Sequence, residues 1–251
     1  MKIAITGKGG SGKTMVAGAL IRILADRGHQ VLAVDADPNP NLGVSLGVDA
    51  PQVEAMQSIL TGLTASGYTH DQPLPDPDDL VARYGLVAPN GIALVATGKI
   101  ERPTDSCLCC GSHTTTRRFF GDLPATDRIV VADLEAGLND LLWAQPGPDD
   151  VVVVVAEPSA KSVEVATRAT RIARDDLGVT RIIAIANRAH PDTDHPHRLA
   201  AALDVPTVAV PDDPAVTDAD HRGVATYDTA PTSPAMTAVR QLADTLLGAP
   251  V

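Results

Sequence analysis

Short apolar runs rich in β-branched residues recur along the chain, separated by longer stretches with helical periodicity. The strand-like runs are residues 2–6, 30–35, 91–97, 128–133, 150–156, 181–186 and 207–210. Runs such as VVVVVA lack polar alternation, so helices should cover both faces of those strands. Helices are predicted near residues 13–27, 114–121, 160–176, 195–203 and 233–247. In the last of these, Met236, Val239, Leu242, Ala243 and Leu246 form one apolar stripe suited to docking on a sheet. Strands alternating with helices imply right-handed crossovers. The predicted fold class is therefore α/β, a mostly parallel central sheet of about seven strands flanked by helices on both faces. The acidic, proline-rich stretch YTHDQPLPDPDD (residues 68–79) interrupts this pattern, which then resumes. It reads as a surface insertion within a single domain spanning residues 1–251.

Composition narrows the range of partners. The 251 residues carry 31 acidic and 20 basic side chains, a formal net charge of -11. Such a chain lacks the clustered Lys and Arg that grip nucleic acid or anionic membrane. No apolar run approaches the roughly 18 residues of a membrane span. The start MKIAITGKGG has no secretory pattern, and a cytoplasmic location is expected. Six aromatic residues leave the core to Val, Ile, Leu and Ala. The three cysteines lie within four positions, which excludes a disulfide framework.

The first strand runs directly into GKGGSGKT (residues 7–14) and then into a helix. This is the phosphate-loop pattern: Gly7, Gly9, Gly10, Ser11 and Gly12 bring backbone N–H groups close to phosphate oxygens. The following helix N-terminus adds partial positive charge. Lys13 is placed for the β- and γ-phosphates, the Thr14 hydroxyl for Mg²⁺, and Met15 follows in the same turn. The expected cofactors are ATP or ADP and Mg²⁺.

Lys8, second in the loop, makes the reading more specific. A lysine there marks the deviant phosphate loop, and the chain resembles the MinD, ParA and nitrogenase-iron-protein class of P-loop ATPases. The resemblance implies that Lys8 reaches across a nucleotide-sandwich homodimer to the partner's phosphates. It also implies that Asp37, in VDADPNPNL (residues 34–42), orients the attacking water in switch I. Asp35 and Asp37 would lie at the Mg²⁺ shell, and Asn41 would make a secondary contact. These residues are also good turn formers in their own right. Asp133, ending RIVVAD, would be the Walker B carboxylate, with switch II following as LEAGL and Gly137 close to the γ-phosphate. Asn187 and Arg188 end a later strand, and Pro211, Asp212 and Asp213 end another; by resemblance these cradle the adenine. Lys8, Lys13, Asp37 and Asp133 are thus the catalytic candidates.

Cys107, Cys109 and Cys110 form CLCC, followed by GSH. Neighbouring side chains of an extended or turning loop cannot all face a core, and clustered thiolates suit Zn²⁺, Ni²⁺ or Cu(I). One Cys-x-Cys supplies two ligands, and a two-fold axis would supply a second pair. Here the resemblance narrows to CooC-type ATPases, which help load nickel into carbon monoxide dehydrogenase. They too carry Cys-x-Cys before the Walker B strand and a switch II like DLEAG. It implies that Cys107 and Cys109 hold Ni²⁺ or Zn²⁺ on the dimer axis and that the partner is a client metalloenzyme such as carbon monoxide dehydrogenase. Cys110 departs from the simple pattern, leaving open which two thiolates ligate. His113 is an alternative ligand, although polar residues at helix starts more often cap or face solvent. The imidazoles of HPDTDHPH (residues 190–197) read as a solvated loop. A spatial-organising ATPase is the competing reading; it lacks support from a basic C-terminal helix, since only Arg240 is basic there. An iron–sulfur reductase is the third, weakened by the absence of a cysteine in DLEAGL.

Overall fold

The structure is a computed structural model that describes residues 1–69, 72–99, 108–124 and 126–248, the side chains of residues 108–112 excepted. In chain order the elements are β1 (Lys2–Gly7), α1 (Lys13–Asp26), β2 (Val31–Asp35), α2 (Leu42–Ser45), α3 (Ala50–Ala55), α4 (Ile59–Ala65) and α5 (Pro77–Tyr84). They continue with β3 (Leu86–Ala88), β4 (Ile92–Ala96), α6 (Leu108–Asp122), β5 (Ile129–Asp133), α7 (Asn139–Ala144), β6 (Val151–Ala156) and α8 (Ala160–Arg171). The last are β7 (Arg181–Ala189), α9 (His195–Leu203), β8 (Thr207–Pro211), α10 (Pro214–His221), α11 (Thr226–Thr229) and α12 (Pro234–Leu247).

The strands form one sheet in the order β3-β4-β2-β5-β1-β6-β7-β8. All pairs are parallel except β3 with β4. The sheet thus has eight strands rather than seven; the extra one is a three-residue edge strand, with Val87 exposed, whose signal is too short to read. Side chains alternate between the two faces as a pleat requires. Ile3 and Ile5, with Val151, Val153 and Val155, meet α1 and α12 on one face. Ala4, Val152 and Val154 meet α6 to α9 on the other. Every residue of β6 is buried, which accounts for its unbroken apolar sequence.

Two predicted helices change on inspection. The helix expected near residues 114–121 begins at Leu108, so Cys109 and Cys110 lie in its first turn rather than in a loop. The helix expected over residues 160–176 gives way at Ile172 to a π-type turn ending at Asp176. The acidic insertion is pinned to the body: Arg118 donates to the Gln72 carbonyl at 2.9 Å, and Arg128 pairs with Asp78 at 2.6 Å. The stripe on α12 is consumed in the core, since Met236, Val239, Leu242, Ala243 and Leu246 are all buried. Among the described residues no helix is long and apolar enough to cross a membrane.

Candidate functional site

The loop between β1 and α1 lies at the C-terminal edge of the sheet, where parallel α/β folds bind ligands. Gly10 (φ 78°) and Gly12 (φ 92°) take left-handed conformations that turn the backbone around the phosphate position. The turn is closed by the Ser11 N–H donating to the Lys8 carbonyl at 3.1 Å. At Gly12 a second constraint applies, because a Cβ there would stand 2.2 Å from Asn187 Nδ2. That amide is held in place, donating to the Ser11 carbonyl at 2.7 Å. Gly12→Ala is therefore expected to destabilise the fold by about 1–3 kcal/mol and weaken nucleotide binding about tenfold or more. A melting curve and a nucleotide titration check this; unchanged affinity would contradict the assigned role of the loop.

The carboxylates converge next to this loop. Asp35 and Asp133 end adjacent strands in direct register and are both buried. Asp35 is fully engaged by the backbone, accepting from Leu42 N–H at 2.9 Å and Asp37 N–H at 3.2 Å. It folds the loop that presents Asp37. Burial, and then the Asp133 charge, push its pKa well above the usual carboxylate range. Asp133 differs in having one carboxylate oxygen, Oδ1, buried without a hydrogen-bond partner. Burial raises its pKa to about 6, although a hydrogen bond from Thr14 and the Lys13 charge pull the other way. Buried carboxylates beside an orphaned oxygen and the Thr14 hydroxyl are a donor set that fits Mg²⁺, which prefers oxygen ligands and a few carboxylates. Lys13, 8% exposed, is the buried cation among them. Burial depresses its pKa, while Asp133, Asp37, Asp140 and Glu135 draw it back up.

Lys8 turns back onto its own chain, its ammonium 3.1 Å from Glu157 Oε1. Arg188 reaches the other oxygen of Glu157 at 3.4 Å. Burial disfavours the Glu157 charge, but hydrogen bonds from Lys8 and Ser159 outweigh it and lower the pKa. Arg188 has φ 52° at a register shift between β7 and β8, and this bulge separates buried Asn187 from exposed Arg188. The Asp213 carboxylate accepts from Ala215 N–H and Ala235 N–H, both at 3.0 Å, so it caps α10 and braces the start of α12. Burial opposes its charge, yet these bonds and one from Ser233 lower its pKa.

A cleft of about 810 Å³ joins these parts. It is lined by Gly9, Gly10, Gly12, Lys13, Thr14 and Met15, and by Asp37, Asn41, Asn187, Arg188, Pro211, Asp212 and Asp213. Thus the phosphate loop, the loop carrying Asp37 and Asn41, and the two distal strand ends share one cavity. Tyr227 and Val224, from the α10–α11 segment, complete its wall. That segment, and Glu157, were not singled out from sequence; two short helices with few periodic positions leave little signal. Gly137, φ 108°, is tied to the phosphate loop, donating from its N–H to the Gly7 carbonyl at 3.2 Å.

Cys107 lies outside the described residues, as do the side chains of Cys109 and Cys110. Their helix is anchored through His113 to Asp140 at the start of α7. The His113 Nδ1 lies 2.7 Å from Asp140 Oδ1, and its ring stacks on Trp143 at 5.9 Å. The Glu135 N–H donates to Asp140 Oδ2 at 2.8 Å. His113 therefore neither caps its helix nor faces solvent. By contrast, the imidazoles of the second His-rich segment do not converge: His195 is buried against the Ala156 carbonyl, whereas His190 and His197 are exposed.

The geometry defines a nucleotide-binding α/β domain with a complete phosphate loop. The family model described as "CobQ/CobB/MinD/ParA nucleotide binding domain" matches residues 2–227. The chain belongs to this family of P-loop ATPases, and it is an ATP hydrolase. It is 33% identical over 242 residues to the carbon monoxide dehydrogenase accessory protein CooC of Rhodospirillum rubrum, covering 92% of this chain and 91% of that one. An uncharacterized ATP-binding protein of Methanocaldococcus jannaschii is 34% identical over 194 residues, 75% of each chain. Among solved structures, the septum site-determining protein MinD of Pyrococcus horikoshii, complexed with Mg-ADP, superposes with a TM-score of 0.74. It covers 98% of this chain and 95% of that one at 20% identity, a likeness of fold.

Proposed function

We propose that the protein is a metal-delivery ATPase, in which ATP binding and hydrolysis drive a homodimer that carries Ni²⁺ or a similar ion to an apo-metalloenzyme. The observation that carries this reading is the helix α6: it begins inside CLCC and docks through His113 onto Asp140, directly after switch II. A movement of switch II is thereby felt one helical turn from the cysteines. The similarity to CooC supports a nickel-dependent carbon monoxide dehydrogenase as the client class. The burial of the α12 stripe and the net charge of -11 speak for a protein client rather than a membrane or nucleic acid.

In this reading Lys8 leaves Glu157 and meets the partner's nucleotide, supplying charge to the transition state in trans. Asp37 orients water, Asp133 and Thr14 hold Mg²⁺, with Asp35 and Asp37 beside it, and Asn187, Arg188, Pro211, Asp212 and Asp213 surround the base. Mg²⁺ would neutralise phosphate charge when bound. Cys107 and Cys109 from two protomers make a four-sulfur site on the axis, with Cys110 as the alternative thiolate.

Reduced protein purified without oxygen should contain about one thiolate-bound Ni²⁺ or Zn²⁺ per two chains. Cys107→Ala with Cys109→Ala should abolish that stoichiometry and shift the protein to monomer in sedimentation. A metal-to-chain ratio unchanged by the double substitution would refute the bridging site, and an iron–sulfur absorption band would favour a reductase instead.

A further inference from the structure

We propose that His113, Glu135 and Asp140 form a second binding site, for one borderline divalent cation of the Zn²⁺, Ni²⁺ and Co²⁺ type, separate from the cysteines. The three side chains each offer one ligand atom, and these atoms lie within 4.8 Å of one another. Among the described residues no other group of three such side chains converges in this way. They come from three different stretches: His113 from α6, Glu135 from switch II, and Asp140 from the first turn of α7.

The detailed contacts point to a ligand rather than to a plain ion pair. Asp140 is 2% exposed, and its Oδ1 is buried without a hydrogen-bond partner although His113 Nδ1 lies only 2.7 Å away. The two atoms are close but poorly aligned for a full hydrogen bond, and what attraction His113 exerts favours the Asp140 charge against burial. Two ligand atoms presented to one ion have this relation, needing only to open by a fraction of an ångström to admit it. Asp140 Oδ2 is meanwhile fixed by Glu135 N–H at 2.8 Å, and the His113 ring is held against Trp143 with an interplanar angle of 11°. Such outer contacts orient ligands before the ion arrives. Two partly or wholly buried carboxylates share the spot with a single imidazole, and burial raises the pKa of both. A dication would remove that strain.

The donor set indicates the ion. One imidazole nitrogen and two carboxylate oxygens leave an open position in tetrahedral coordination, the pattern of an accessible zinc-type site. Mg²⁺ and Ca²⁺ are disfavoured by the nitrogen ligand. Cys109 and Cys110 precede His113 by four and three positions in α6, so the site lies about one helical turn from the cysteine cluster. Glu135 lies between Asp133 of the nucleotide site and Gly137, which bonds to the phosphate loop. An ion bound here ties the cysteine helix to switch II and makes metal occupancy visible to the nucleotide.

The test uses the full chain with Cys107, Cys109 and Cys110 all changed to Ser, free of affinity tags and of nucleotide. Co²⁺ and Zn²⁺ are titrated, with absorption and calorimetry as readouts. The expected result is one ion per chain, with Co²⁺ ligand-field bands and no thiolate charge-transfer band. His113→Gln and Glu135→Gln, neither fully buried, should each weaken Zn²⁺ binding about tenfold or more while leaving the melting transition cooperative. A cysteine-free chain that binds neither ion, or one whose binding survives both substitutions, overturns the site. Failure there would leave the one-per-two-chains stoichiometry of the cysteine site untouched, so the two readings fall separately.

Discussion

Lys13→Ala should lower ATP turnover by about 10³-fold and remove most nucleotide affinity. The side chain opens α1 with its ammonium buried among carboxylates, 3.4 Å from the Lys8 carbonyl. Four acidic groups, Asp133, Asp37, Asp140 and Glu135, favour its charged form against the cost of burial. Incoming phosphates add more negative charge at the same place, so the cation is needed most when nucleotide is bound. Removing it withdraws a charge-assisted donor and leaves those carboxylates facing the phosphates unopposed. Asp37→Ala makes the control. Asp37 lies at the cleft wall and contacts the protein by receiving the Asn39 N–H at 2.8 Å. Its loss should reduce turnover while preserving affinity. A fluorescent-nucleotide titration and a phosphate-release assay separate the two. Lys13→Ala turning over within tenfold of the parent would refute its role, and unchanged turnover in Asp37→Ala would refute the other.

Much of this site could be read before the fold was known, because the phosphate loop is contiguous. Its spacing carries its geometry, and the strand before it and helix after it are both strongly patterned. The central strands were legible for the same reason: β6 is buried on both faces and cannot be mistaken for an amphipathic element. What was hidden depends on tertiary contact. The resemblance implies a base contact for Asn187, yet what the fold reveals is that its amide holds the Ser11 carbonyl. Asp213 looked like pocket lining, and it is, but its oxygens are occupied in starting two helices. Glu157 follows an ordinary strand end, and only folding brings Lys8 and Arg188 to it. The early start of α6 is concealed by Cys109, Cys110 and Gly111, none a strong helix former. The short helices α2 to α5 were missed because four to eight residues barely show a period.

The pH behaviour of the protein should reverse sign when Mg²⁺ and ATP are added, and Asp133 supplies the reason. Its folded pKa of about 6 lies above its ordinary value of 3.8 because burial disfavours the charge. Between these values the folded state keeps a proton that the unfolded chain has lost. The contribution of Asp133 to stability is therefore greatest below pH 4 or so and is lost as pH rises through about 6. Asp35, shifted the same way, adds to this slope. Without ligand, the melting temperature should fall between pH 5 and pH 7. Mg²⁺ requires the ionised carboxylate, so its binding competes with that proton. At pH 5 roughly a tenth of Asp133 is ionised, and the stabilisation by Mg-ATP should be correspondingly small. It should grow toward pH 7.5, where the carboxylate is almost wholly charged. Asp133→Asn isolates the effect from other titrating groups. The variant should melt higher than the parent at pH 7.5 without ligand, since the cost of burying that charge, which the Thr14 hydrogen bond and the Lys13 charge offset only in part, is gone. It should also lose the Mg²⁺-dependent part of ATP stabilisation and about 100-fold or more in turnover. Melting curves of both proteins across this pH range, with and without Mg-ATP, decide the matter. A parent and variant with parallel pH slopes in the absence of ligand would show that Asp133 does not carry the buried proton.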